Sequence, residues 1–137
     1  MNEAYGRREE PDKIADVDRK LDLRARTKSF ALRILRLYSA LPRTTEAQVL
    51  GKQLLRSGTS VGAQYREAKR ARSTAEFVSK IECGLQELEE TVYWLELLTD
   101  ARIVDPTRLR ALQQEAEELI AILVSSAKTA KRSKWAR

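Results

Sequence analysis

Apolar residues recur along this chain at steps of three and four, in four blocks separated by short breaks. In the first block Phe30, Ile34, Leu37 and Leu41 form one stripe with Tyr38 beside it, and Arg26, Arg33 and Arg36 fall away from it. Asp22 is placed to cap this helix, and Pro42 ends it because a proline ring clashes with a helical residue before it. The second helix starts at Thr44 or Thr45, where Thr45 with Gln48 fits a capping box, and Val49, Leu50, Leu54 and Val61 supply its core contacts. Ser73 and Glu76 make a second box, followed by a seam of Phe77, Ile81, Leu85, Leu88, Val92 and Leu95. Trp94, Leu97 and Leu98 widen that arc. Asp105 and Pro106 open the fourth helix, whose stripe is Leu109, Leu112, Ala116, Leu119, Leu123 and Ala127, extended by Ile120, Ile122 and Val124.

Four amphipathic helices with short links predict an all-α chain folded as an antiparallel up-down-up-down four-helix bundle over residues 21–128. Met1–Lys20 mixes charges without periodicity and reads as a flexible N-terminal tail, turning helical near Ile14–Val17. From Lys128 the last helix is expected to fray, leaving residues 129–137 as a basic C-terminal tail. The composition agrees: 137 residues suit one domain, and five Gly, three Pro and few aromatics suit long helices.

The second helix carries a run of small residues, Ser57, Gly58, Ser60 and Gly62, that makes it unusually thin. Each interior glycine costs about 1 kcal/mol relative to alanine, and Gly51 adds a third. Close packing must offset that cost. The pattern predicts a continuous helix to about Arg72, with a break near Gly58 as the alternative. The ridge is either a tight helix–helix contact or a face that another subunit or a ligand approaches closely.

Chemistry narrows the choice mainly by what is missing. The chain has no histidine, so the commonest general base and metal ligand are absent, and no cofactor is expected. Cys83 is a single cysteine and reads as a small buried side chain in a reducing cytosol. No apolar run is long enough to span a membrane, and Met1–Lys20 lacks the core of a secretory signal. Gly51-Lys52 is followed by Gln53 in a helical context and fails as a phosphate loop. Glu82, Glu89 and Glu96 repeat every seven residues and read as a solvated or ion-paired face rather than as paired acid and base.

The net charge of +6 is unevenly spread. Leu21–Arg72 carries twelve basic residues against three acidic ones, or +9, whereas Ser73–Ala127 carries four against eleven, or −7. Lys52, Arg56, Arg66, Lys69, Arg70 and Arg72 form the best candidate for a phosphate-binding cluster, with pairs one turn apart sharing a face. The competing reading is a solvated helix end ion-paired to Glu87, Glu89 or Glu90, with Glu67 taking some of the charge. Lys131, Arg132, Lys134 and Trp135 interleave an aromatic with positive charge, as single-stranded nucleic-acid binders do.

Three stretches carry a family resemblance: Arg56-Ser-Gly-Thr-Ser-Val-Gly-Ala-Gln-Tyr-Arg-Glu-Ala68, then Arg70-Ala-Arg-Ser-Thr-Ala-Glu-Phe77, then Glu87-Leu-Glu-Glu-Thr-Val-Tyr-Trp-Leu-Glu-Leu-Leu98. With their order and spacing from about Leu21 to Lys128, the chain resembles the bacterial 23S ribosomal RNA intervening-sequence proteins. It departs at Gln64, where the family usually has Asn. The resemblance implies a small cytoplasmic four-helix bundle without enzymatic activity, assembling as a homo-oligomer, typically a pentameric ring. A more distant pentameric bundle binds RNA and a reverse transcriptase, which makes both implied partners. Residues carried over are Arg56, Ser57, Ser60, Tyr65, Glu67, Ala68, Phe77, Glu90, Tyr93, Trp94 and Leu95, as structural or interfacial positions.

The expectation is therefore a non-catalytic homo-oligomer that binds RNA through its basic cluster and basic tail. Ser57, Gly58, Ser60, Gly62, Tyr65, Glu67, Tyr93 and Trp94 are expected in packing or in the oligomer interface. The rival expectation is a scaffold or adaptor whose basic and acidic halves join neighbouring subunits without any nucleic acid.

Overall fold

The computed structural model describes residues 22–136, with side chains described up to residue 133. Among them are four helices: α1 (Leu23–Ala40), α2 (Thr45–Lys69), α3 (Thr74–Asp100) and α4 (Pro106–Ala136). The expected N-terminal tail, including the turn near Ile14–Val17, lies outside the described residues. No described helix is long and apolar enough to cross a membrane.

The boundaries follow from local hydrogen bonding. Asp22 accepts the backbone N–H of Ala25 at 3.2 Å and so caps α1. Thr44, rather than Thr45, caps α2 by accepting from Ala47 N–H. Gln48 does not complete a box there. Its amide donates to the Pro42 carbonyl at 2.9 Å, and its oxygen accepts from the Tyr38 hydroxyl at 3.0 Å, tying the α1–α2 link. Ser73 accepts from Glu76 N–H, and Glu76 reaches back one residue further than a standard box, to Arg72 N–H. Asp105 accepts from both the backbone and the hydroxyl of Thr107, which hold its carboxyl below the usual range. α2 runs through its glycines without interruption to Lys69, so no break occurs at Gly58. α4 continues to Ala136, which makes the basic segment after Lys128 helical rather than frayed.

Each helix packs on its neighbour in sequence, and α1 meets α4 over a short stretch. The core is Phe30 and Ile34 of α1, Leu54 and Val61 of α2, Ile81, Leu88, Leu95 and Leu98 of α3, and the whole expected stripe of α4. The periodicity misplaces one residue. Val49 is 56 % exposed, while Ala47 and Gly51 take the buried positions of that turn.

The small-residue ridge is where α1 and α2 come together. A Cβ on Gly58 would stand 2.8 Å from Ile34 Cγ1 and 3.3 Å from its Cβ; one on Gly62 would stand 3.0 Å from the Thr27 hydroxyl. Ile34 is fully buried and β-branched, so it has little room to yield. On the other side of α2, Thr91 of α3 donates its hydroxyl to the Glu87 carbonyl and lies 2.8 Å from Ser57 Oγ. This buried hydroxyl pair links α2 and α3 inside an otherwise apolar core.

Candidate nucleic-acid interface

The opposite charges of the two halves meet first within the fold. Arg26 of α1 makes a two-pronged contact with Glu115 of α4, at 2.7 and 3.0 Å, and a further one with Glu118 at 3.0 Å. The Arg26 and Glu115 side chains are each only 19 % exposed, so this pair is shielded from solvent more than the others. Arg56 of α2 lies between Glu87 and Glu90 of α3. Glu67 pairs with Lys80 rather than with the basic residues of its own helix, and Glu82 pairs with Lys131.

These pairs divide the candidate binding residues. Arg56 is exposed but neutralised by two carboxylates, and Lys131 by one. Lys52, Lys69, Arg70, Arg72 and Arg132 are exposed and Arg66 is half-buried, and none makes an ion pair among the described residues. Lys128 is likewise exposed and unpaired. Lys134 and Trp135 fall in the last turn of α4, where side chains are outside the described residues.

The fold also gathers two clusters that lie some sixty residues apart in sequence. Ala71, Arg72, Ser73 and Thr74 of the α2–α3 link line a depression with Phe77, Ala130 and Ser133. The C-terminal turns of α4 therefore abut the end of α2, and Arg132 joins Lys69, Arg70 and Arg72 at one end of the bundle. Lys52 lies several turns away on α2 and does not join them.

The candidate packing residues take distinct places. Ser57, Gly58 and Gly62 are buried between α2 and its neighbours, and Ser60 is half-buried with its hydroxyl on the Arg56 carbonyl. Tyr65 is half-buried, and that burial with the nearby Asp22 charge pushes its phenol above the usual range. Glu67 is exposed. Tyr93 is exposed too, its ring tilted against half-buried Trp94 at 5.1 Å, and the Trp94 indole nitrogen is buried without a hydrogen-bond partner among the described residues. Gln64 packs its Cβ toward Gly84, and its side-chain oxygen is also buried and unpartnered there. No group of three or more Cys, Asp or Glu side chains among the described residues is arranged to hold a metal ion.

Sequence reasoning set Arg26 aside as an off-stripe residue and missed its place between α1 and α4. The charge difference between the two halves was the available signal for it. Nothing in the pattern pointed to an open groove of about 570 Å³ along α4, lined by Phe77 of α3 with Ala121, Ile122, Ser125, Ser126, Thr129 and Ala130.

Residues 19–125 match the family described as 23S rRNA-intervening sequence protein. The fold is similar to the crystal structure of a protein of unknown function from the S23 ribosomal protein family of Bacteroides thetaiotaomicron VPI-5482. The two are 37 % identical with a TM-score of 0.74, covering 80 % of this chain and 97 % of the other. The chain matches none of the curated proteins.

Proposed function

The chain belongs to the 23S rRNA-intervening sequence protein family, and from that premise we propose that it is a non-catalytic, cytoplasmic homo-oligomer that binds RNA through the basic end of its bundle. The observation that carries this reading is a group of unpaired cations at one end of the bundle. Lys69, Arg70, Arg72, Lys128 and Arg132 stand exposed near that end and make no ion pair among the described residues, whereas Arg56 and Lys131 face carboxylates. Unpaired cations brought together from two helices are what phosphate neutralisation and counterion release require. They fix affinity and position rather than base sequence.

An antiparallel up-down-up-down topology is supported by the contacts, since residues rising along α2 meet residues falling along α1 and α3: Gly58 with Ile34, Gly62 with Thr27, Ser57 with Thr91, Glu67 with Lys80. Assembly into a ring of copies, a pentamer in the family's usual form, is supported by apolar side chains left outside the core. Leu32 and Leu35 share a face of α1, and Val49 and Tyr93 are more than half exposed. The charged halves already pair within one chain, which argues against charge as the main force between copies.

Binding of a labelled RNA by the purified protein across a salt series tests the reading. Arg66→Ala/Lys69→Ala/Arg70→Ala/Arg72→Ala is expected to weaken binding and to flatten the salt dependence by up to one phosphate contact per removed cation. Binding that ignores both salt and these substitutions overturns it. Native mass across the same salt series checks the oligomer, which is expected to survive high salt.

A further inference from the structure

We propose that the two depressions at the end of α4 form one cleft that takes an unpaired base of single-stranded RNA, stacked on Phe77, with the adjoining phosphates on the cations beside it. This deepens the RNA-binding reading above and rests on it.

The depression beside the α2–α3 link and the groove along α4 share two lining residues, Phe77 and Ala130, and so run into one another. They enclose about 410 and 570 Å³, each within the roughly 300–1,000 Å³ of a small-ligand site. Their chemistry differs. The groove has Phe77 and Ile122 as its large apolar side chains, with Ser125, Ser126 and Thr129 along it. Those three hydroxyls make no hydrogen bond among the described residues and remain open to a ligand. The depression beside the link has Arg72, Ser73, Thr74 and Ser133 instead. Phe77 stands where the two join. It belongs to the apolar stripe of α3 yet is only half-buried, as is Ile122.

Charge sets the direction of an occupant. Arg72 lines the link end, directly after Lys69 and Arg70 in the chain. Arg132 follows Ser125 by seven residues and Thr129 by three, which puts it at the edge of the groove. None of these cations makes an ion pair among the described residues. Two nearby carboxylates are already engaged: Glu76 accepts the Arg72 backbone N–H, and Glu118, four residues before Ile122, pairs with Arg26. Phosphate is therefore favoured at the link end and an uncharged group along the groove.

A nucleotide presents that same division. Its base has a π-face to stack on an aromatic ring and a polar edge for hydroxyls, with phosphates to either side. A base inside a duplex is already paired and stacked, so only an unpaired one can reach Phe77. A lipid tail or an apolar peptide would bury the three hydroxyls without partners.

The test uses the full chain with a short oligouridylate carrying one 4-thiouridine, alone and annealed to oligoadenylate. Photo-cross-linking is expected on the peptide that holds Phe77 or on the groove face of α4, and the duplex is expected to bind severalfold more weakly. Phe77→Leu keeps apolar volume but removes the ring, and should weaken single-strand binding by roughly fivefold or more with its salt dependence unchanged. Phe77→Trp should retain the binding, which separates stacking from packing. Three results each overturn the cleft: a duplex bound as tightly as the single strand, a cross-link confined elsewhere, or parental affinity in Phe77→Leu. The RNA reading survives them if the four-cation variant still loses salt-dependent binding. If neither form of RNA binds, both fall. A lower native mass for Phe77→Leu with RNA affinity intact gives the cleft to a second copy and overturns the proposal as well.

Discussion

Two stretches contrast sharply although they follow one another along the chain, one in the middle of α2 and one at its C-terminal end. From Gly51 to Gly62 the helix is buried against neighbours on two sides, with Ile34 and Thr27 of α1 nearly touching its backbone and Thr91 of α3 reaching Ser57. From Arg66 through the cap at Arg70 to Arg72 in the link that follows, the chain is mostly exposed, and its cations have no carboxylate partner among the described residues. The first stretch forgoes helix propensity in exchange for close contact. The second gives up ion pairing and keeps its charge available. Packing and proposed binding are thus separated along the chain, so each can be perturbed without the other.

The largest effect is expected at Gly58. Gly58→Val places side-chain atoms inside Ile34 and should cost about 3 kcal/mol, read as a lower urea midpoint. Ser57→Ala removes one member of the buried hydroxyl pair but leaves Thr91 its Glu87 carbonyl; about 1 kcal/mol of destabilisation is expected. Gly84→Ala should reverse the sign. The new Cβ meets Gln64 at 3.6 Å and nothing closer, so the helix gain of up to about 1 kcal/mol survives and the midpoint rises. A Gly84→Ala variant less stable than the parent would mean that glycine serves more than the α1–α2 seam. At the basic end, Arg70→Ala and Arg72→Ala should move stability by under about 0.5 kcal/mol while weakening RNA binding. Arg56→Ala, half-exposed and already neutralised, should change stability by less than about 1 kcal/mol and leave RNA affinity nearly unaltered. If Arg56→Ala weakens binding as much as Arg70→Ala, the division between the two stretches fails.

The four helices were legible because caps and three-four spacing act locally, and the α4 stripe appears buried residue for residue. Val49 misled because small side chains, Ala47 and Gly51, occupy the seam of that turn. A hydrophobicity pattern follows large residues, so it pointed to the wrong side. The position of Arg26 was not legible for a different reason. Periodicity orients a residue about its own helix axis but does not say which neighbouring helix its side chain reaches. The meeting of Arg72 with the end of α4 depends on relative helix lengths and on how far α4 continues, and the expected fraying at Lys128 hid that.

The contact between Arg26 and Glu115 has a consequence for the order in which this chain folds. α1 packs on α2, α2 on α3 and α3 on α4, so most contacts close short loops, and chains of that kind fold quickly. The Arg26 contacts with Glu115 and Glu118 instead span 89 and 92 residues and have few long-range apolar companions between α1 and α4. Loop closure makes such a contact a late one. Replacing Arg26 should therefore speed unfolding while leaving the folding rate almost unchanged, the kinetic mark of a clasp that fastens after the rest is in place.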